Sequence, residues 1–470
     1  MHNDFLVSLD KQHLIHPVSN YREHEEKGVT ILHSGKGAYL TDYQGKTLLD
    51  AFSGLWCVNV GYGQDSVIKA AETQLRTLPY ATGYFDFGSE PAIKLAAKLV
   101  EITPSSLQHV YFTLGGSDAV DSAIRFITNY FNALGKHSKK HFISVERGYH
   151  GSSSQGAGLT ALPAFHRHFD LPQPNQHRIP CPYAYRSTEN TSDESLINQS
   201  VTALKNKVKE LGVDQVAAFF CEPIMGSGGV IVPPKGWLKA MQLCCNELGI
   251  LFVVDEVITG FGRTGPMFAS LAEQVTPDLM TMAKGLTSGY APMGAVMMSD
   301  EVYQGLLQGC GANAPVGHGY TYSAHPVSAA IALEVIRLYE EELLANGQRL
   351  GPYFEQGLQA FRSHPLVGDA RCRGLLGALE LVANKDLKTP FPAQLKLAER
   401  IAKSAYQHGL IFRAFADNIL GFAPALCYTE EDFDLLFQRL TRILDEIMGQ
   451  PEVRLAMDKA ATHCQPVVNK

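Results

Sequence analysis

Residues 249–265 read GILFVVDEVITGFGRTG, and residues 277–296 read PDLMTMAKGLTSGYAPMGAV. Each contains an apolar run, Leu251–Val254 or Leu279–Ala283, that is short for a helix and shows little polar alternation. Such runs suit strands buried on both faces, as in a parallel sheet covered by helices. Each run is followed at once by a charged residue, Asp255 in one case and Lys284 in the other. In open α/β sheets ligands bind in the crevice at the carboxyl ends of strands, so both side chains are candidates for one site.

The pattern extends outward. Val110–Thr113, His141–Val145, Val216–Phe220 and Met293–Met298 are further short apolar runs, alternating with helical stretches between about residues 66 and 330. Val120, Ala123, Ile124, Ile127, Phe131 and Leu134 keep the spacing of a helix with one buried face. Trp237, Met241, Cys245 and Leu248 repeat it, and Gly249 stands where a helix C-cap is wanted. The polar stretch Arg186–Ser200 reads as a surface loop leading into a helix. The expected fold is α/β, with a large, mostly parallel-sheet domain over residues 66–328. Residues 329–470 are expected to form a smaller α+β domain, with helices over Ser328–Tyr339 and Ala393–Gln407 and strands over Arg373–Leu381 and Leu410–Phe415. Residues 1–65 carry a hairpin signal at Ala38–Asp50, turning at Tyr43–Lys46. So small a sheet cannot stand alone and is expected to pack with the C-terminal domain.

Composition narrows the class. A chain of 470 residues, 45% hydrophobic and 19% charged, can bury a large core. A formal net charge of −7 gives no reason to expect nucleic acid or an anionic membrane as partner. No stretch approaches the ~20 apolar residues of a membrane span. The nine cysteines are dispersed without a CxxC pair, and the first twenty residues lack the apolar core of a secretory signal. A reduced, cytoplasmic protein is expected. No metal is expected either: His13 and His16 are close in sequence, as are His166 and His168, but no HExxH or Cys/His ligand set is present.

Two further strand ends join Asp255 and Lys284. Leu114-Gly115-Gly116-Ser117 follows the first run and opens a helix, so backbone N–H groups can face a phosphate. Tyr149-His150-Gly151 follows the second, placing an aromatic ring that can stack on a flat ligand. Taken singly, each feature also fits ordinary structure: a tight turn, a packed tyrosine, a capping aspartate, a surface lysine. Together they supply a phosphate cradle, a stacking ring, a carboxylate for a protonated ring nitrogen and a desolvated nucleophilic amine. Pyridoxal phosphate requires these four. GSGG at 226–229 lacks the GxGxxG spacing of a dinucleotide loop.

At these residues the chain resembles the class III (fold type I) pyridoxal-phosphate aminotransferases. GLWCVNVGYG (54–63), CEPIMGSGGVIVPPKGW (221–237) and HGYTYSAHPVSAAIALE (318–334) look like further blocks of that family, and the likeness runs from about residue 25 to 447. The blocks most resemble the ω-amine and ω-amino acid:pyruvate transaminase branch. The resemblance implies that Lys284 is the Schiff-base lysine and proton shuttle, and that Asp255 is the carboxylate on the pyridine nitrogen. It also implies Tyr149 over one ring face, Val257 beneath the other, and Gly116 and Ser117 at the phosphate. Thr321 matches a phosphate ligand supplied by the neighbouring subunit, which implies a homodimer with shared sites, or a tetramer built from such dimers. Trp56, Tyr84 and Phe85 match substrate-pocket aromatics, and Arg413 the arginine that pairs with a keto acid carboxylate. Two blocks depart from the family pattern: Ala423-Pro424-Ala425 replaces a proline pair, and Gly115–Asp121 reads GGSDAVD. The implied activity is ping-pong transfer of an amino group from an amine donor to a keto acid such as pyruvate. The alternatives are another pyridoxal-phosphate chemistry (aminomutase, racemase or decarboxylase) and a non-catalytic binding protein on the same fold.

Overall fold

Successive residues of the central strands are buried on opposite sides of the sheet. In the computed structural model, which describes residues 2–187, 191–309 and 315–462, Phe142, Ala218, Phe220 and Val253 pack with helix Gly116–Ala133. Their neighbours Ile143, Phe219, Phe252 and Val254 pack instead with helices Asp193–Leu211 and Trp237–Leu248. Both faces are therefore apolar, which is why these segments read as continuous hydrophobic runs. Helix Trp237–Leu248 ends at Gly249, whose φ of 62° supplies the left-handed C-cap expected there.

The large sheet has seven strands among the described residues, in the order Leu107–Thr113, Gly294–Ser299, Leu279–Met282, Leu251–Asp255, Val216–Cys221, His141–Val145 and Gln176–Ile179. Gly294–Ser299 runs antiparallel to both of its neighbours, and the remaining pairings are parallel. The edge strand Gln176–Ile179, QHRI, was not expected from sequence. Its polar middle residues carry none of the apolar signal that marks the inner strands.

Two smaller sheets join the ends of the chain. Leu32–Lys36, Tyr39–Asp42 and Thr47–Asp50 form an antiparallel sheet, and Leu410–Ile411 lies parallel to Thr47–Asp50 at its edge. The other sheet orders Val367–Arg373, Leu376–Leu381, Ile419–Phe422 and Arg413–Ala414. The single strand expected over Arg373–Leu381 is instead the second half of a hairpin, turned at Gly374 with φ 59°. The expected strand Leu410–Phe415 divides at Phe412 into two short strands that belong to different sheets. The helix expected from Ala393 starts at Leu397, after a short 3₁₀ turn and Lys396 at φ 49°. In the polar stretch 186–200, residues 188–190 lie outside the described residues, and helix Asp193–Leu211 begins after its Ser192 cap. No helix among the described residues is long and apolar enough to cross a membrane. Cys310 and Cys464 lie outside the described residues, and the other seven cysteines are free.

Candidate active site

Gly116, Ser117, Asp255 and Lys284 stand at or just beyond carboxyl ends of strands in the large sheet. With Tyr149, Val257, Trp56 and Arg413 they line one cavity of about 440 Å³. Lys284 follows Leu279–Met282 and holds φ 41°, a left-handed conformation that costs a non-glycine residue about 1–2 kcal/mol. Burial lowers the pKa of its amine, only partly opposed by Cys57, Asp255 and Glu222.

A buried acid–imidazole–acid group underlies the cavity. Asp255 ends its strand and is 4% exposed. One oxygen of its carboxylate lies 2.9 Å from His150 Nδ1, and the other accepts the Val257 N–H at 3.1 Å. His150 is itself buried, and its Nε2 has no hydrogen-bond partner. Burial disfavours the charged ring, yet the hydrogen bond and charge of Asp255, with Glu222 beyond it, raise the His150 pKa overall. Glu222, just past Val216–Cys221, accepts the backbone N–H of Tyr149 at 2.8 Å and of Gly226 at 3.1 Å. Burial pushes its carboxyl up to about 7, against the pull of His150. The group thus presents a carboxylate to the cavity, held in place by the imidazole and the Val257 N–H.

Backbone contacts build the opposite wall. Helix Gly116–Ala133 has no side-chain cap, so its first N–H groups are free to meet an anion. A Cβ on Gly116 would lie 2.9 Å from Val257 Cγ1, so glycine lets the helix start approach the residue that floors the cavity. The 149–156 loop is tied to this helix: Ser152 N–H donates to Ser117 Oγ at 3.2 Å, and Ser153 Oγ and Gly156 N–H donate to Asp121 at 2.7 and 2.8 Å.

The mouth is aromatic. Trp56 is held at φ 61° in a turn where Asp50 accepts the N–H groups of Phe52 and Gly54 and the hydroxyl of Tyr62. Ala423, in one of the departing blocks, accepts the Ser53 hydroxyl at 2.6 Å and so braces that same turn. Phe415 meets Trp56 edge-on at 6.4 Å, and Phe165 meets Tyr149 at 5.2 Å. Arg413 reaches the cavity from the short strand Arg413–Ala414, and its guanidinium lies over Phe415. It forms no ion pair among the described residues, and burial lowers its pKa.

Eight of the residues singled out from sequence therefore meet in one cavity. Thr321, Tyr84 and Phe85 do not. Thr321 is exposed and its carbonyl accepts the Tyr80 hydroxyl at 2.9 Å. Tyr84 and Phe85 are 40% and 83% exposed. A Cβ on Gly319 would sit 2.4 Å from the Tyr84 hydroxyl, so all three lie on one outer face, away from this chain's own cavity. Tyr84 and Phe85, singled out as pocket aromatics with Trp56, are thus exposed and do not line this chain's own cavity. Sequence reasoning passed over His150, Glu222, Phe415, Leu162 and Phe165. His150 adjoins Tyr149 in the quoted motif, and Glu222 ends a buried strand as Asp255 does, so both carried a usable signal. Leu162 caps and Phe165 ends the short 3₁₀ turn Pro163–Phe165, a segment too brief to show a period, and they carried none.

The donor set fits a phosphorylated, protonated heteroaromatic aldehyde. Free helix N–H groups suit its phosphate, Tyr149 and Val257 can face its ring, Asp255 suits a ring N–H, and Lys284 supplies an amine of lowered pKa. A family model described as class-III aminotransferase matches residues 21–444. The putrescine–pyruvate aminotransferase of Pseudomonas aeruginosa is 38% identical over 441 residues, covering 93% of this chain and 95% of the relative. The diaminobutyrate–2-oxoglutarate transaminase of Halomonas elongata is 36% identical over 454 residues, covering 95% and 97%. The crystal structure of the ω-transaminase from Pseudomonas jessenii in complex with PMP superposes with a TM-score of 0.92 at 39% identity, covering 94% of this chain and 98% of that one. The chain belongs to the class III aminotransferases, pyridoxal-phosphate-dependent enzymes that pass an amino group between an amine or amino acid and a keto acid.

Proposed function

We propose that this aminotransferase takes the amino group of an ω-amine or ω-amino acid, diamines included, and delivers it to pyruvate in a ping-pong cycle. The observation that carries the reading is Arg413: a cation at the mouth of a mostly apolar cavity, with no acidic partner among the described residues. A keto acid carboxylate would supply that partner by a bidentate, charge-assisted contact. A donor without an α-carboxylate would rest on Trp56, Phe415, Leu162 and Phe165 and leave Arg413 unengaged. The relative named for putrescine and pyruvate supports this choice.

Pyridoxal phosphate, when bound, supplies the electrophilic carbon and the electron sink of the reaction. Gly116, Ser117 and the helix start would hold its phosphate, and Tyr149 and Val257 its ring. Asp255, oriented by its hydrogen bond with His150, would hold the proton on the ring nitrogen. Lys284 is the cofactor's attachment point, and its neutral amine would move the proton at the amine carbon. Thr321, Tyr84 and Phe85 would serve the cavity of a second copy, making the working unit a homodimer or a tetramer of two such pairs. The free cysteines support a reducing, cytoplasmic setting.

The test compares kcat/KM for putrescine, β-alanine and an α-amino acid, each with pyruvate or 2-oxoglutarate, in wild type and Arg413→Gln. Putrescine or β-alanine with pyruvate should be the best pair. Arg413→Gln should raise the pyruvate KM roughly 10- to 100-fold, the loss of about 1.5–3 kcal/mol for a charged hydrogen bond, with little change in the amine half-reaction. Preference for an α-amino acid, or an unchanged pyruvate KM, would sink the reading.

A further inference from the structure

The first 28 residues assemble a ligand set that no sequence motif announces. Asp10 lies in helix His2–His13, His24 in helix Tyr21–Lys27, and His16 in the strap between them. His16 Nε2 is 2.7 Å from one Asp10 oxygen, and His24 Nε2 is 2.6 Å from the other. One ligand atom from each residue lies within 4.8 Å of the others, and the imidazoles meet edge-on at 4.9 Å. The side chains of Asp10 and His24 are 11% and 10% exposed, and that of His16 is 29%, so the cluster is sheltered yet open on one side. Between the two histidines, Pro17 and Val18 line the same cavity as Lys284 and Arg413.

We propose that Asp10, His16 and His24 bind a divalent transition ion of the Zn²⁺ type, which fastens the strap 14–20 at the rim of the active site. Two imidazole nitrogens and one carboxylate oxygen are a donor set that Zn²⁺ takes with a fourth position left to water. Around a tetrahedral ion with bonds near 2.0–2.1 Å, ligand atoms stand about 3.3 Å apart. The pairs now in direct contact need to open by less than about 1 Å, which side-chain rotation supplies. Each Nε2 that enters the coordination shell gives up its hydrogen, so binding either shifts the tautomer to Nδ1–H or releases a proton to solvent. No electron is transferred. The ion replaces two hydrogen bonds to Asp10 by three coordinate bonds that tie both helices and the strap at one point. The strap could then lift from the cavity only by breaking a ligand bond.

The experiment uses tag-free holoenzyme, treated with EDTA, dialysed, and titrated with Zn²⁺ alone by calorimetry and native mass spectrometry. Wild type should take up about one Zn²⁺ per chain at this site. Asp10→Ala, His16→Ala and His24→Ala should each lose that uptake, and His13→Ala, beside the cluster, should keep it. In parallel, trypsin cleavage after Lys11, Arg22 and Lys27 should slow roughly tenfold with Zn²⁺ in wild type and not in His24→Ala. Absence of uptake, or uptake unchanged in both histidine variants, overturns the site. Uptake without slower cleavage overturns the fastening of the strap. Both readouts are made without substrate, so they stand or fall separately from the amine and pyruvate assignment.

Discussion

Asp255 gives one oxygen to His150 and one to the backbone of Val257, and this division makes a residue-scale argument possible. His150 touches Asp255 and has its other nitrogen unpartnered, so it is a positioning residue. Replacing it with alanine removes a charge-assisted bond of about 1.5–3 kcal/mol, and kcat should fall up to roughly a hundredfold. A purely structural role would leave the pH profile in place, whereas loss of an imidazole whose pKa Asp255 and Glu222 raise should shift it. Glu222 gives a second prediction. Its carboxyl is raised to about 7 in the fold from an unfolded value near 4.5. The folded state then holds more protons than the unfolded state between these values, so this group's contribution to stability falls as pH rises through that window. Stability is highest, as far as Glu222 is concerned, below its unfolded value, and the penalty is complete above about pH 7. Glu222→Gln should flatten that slope, at the cost of one backbone hydrogen bond at every pH. Urea melts of both proteins from pH 5 to pH 8 check it, and parallel slopes would remove Glu222 as the titrating group.

Loops rather than strands carry the exacting contacts at the scale of elements. Gly151 holds φ 109°, and a Cβ there would stand 2.8 Å from Ser117 Cα, a backbone atom of the helix start. Gly151→Ala combines a disfavoured backbone conformation with that clash, and should cost about 1–3 kcal/mol. Because the loop is pinned to the turn that would hold the phosphate, cofactor affinity should drop together with the melting temperature. An unchanged affinity in a destabilised variant would separate the loop from the phosphate site. The inner strands were legible because both of their faces are buried, so Val216–Cys221 and Leu251–Asp255 advertise themselves as apolar runs. Asp255 and Lys284 were legible for the same reason, as charges ending such runs. Gln176–Ile179 was not legible, because its pairing with His141–Val145 is a backbone property that its side chains do not announce. The hairpin at Gly374 merged into one strand, since Leu376–Leu381 is buried throughout and its partner Val367–Arg373 is polar in its second half. The Asp10–His16–His24 cluster was illegible for a different reason: its spacing follows from how two helices fold back, not from one helical or strand period.

Taken as a whole molecule, the chain divides the residues singled out from its sequence between a cavity and an outer face. Eight line the cavity, while Thr321, Tyr84 and Phe85 share a surface with exposed Tyr80 and Tyr322, whose rings meet at 6.0 Å. A patch of exposed aromatics beside a hydroxyl and an open backbone is the composition of an interface core. In a two-fold dimer the same patch is used twice, so each copy can hand Thr321 to the other's phosphate turn. Complementation decides whether it does. Lys284→Ala removes the amine from a chain's own cavity, and Thr321→Glu sets a negative charge where a phosphate would sit. Each homodimer should be inactive. When the two are co-expressed at equal levels, about half of the dimers are mixed, and each mixed dimer has one cavity with an intact lysine facing an intact threonine from its partner. Activity should return to about a quarter of wild type. If Thr321 instead serves its own chain, the intact lysine always shares its cavity with the glutamate, and mixing restores nothing.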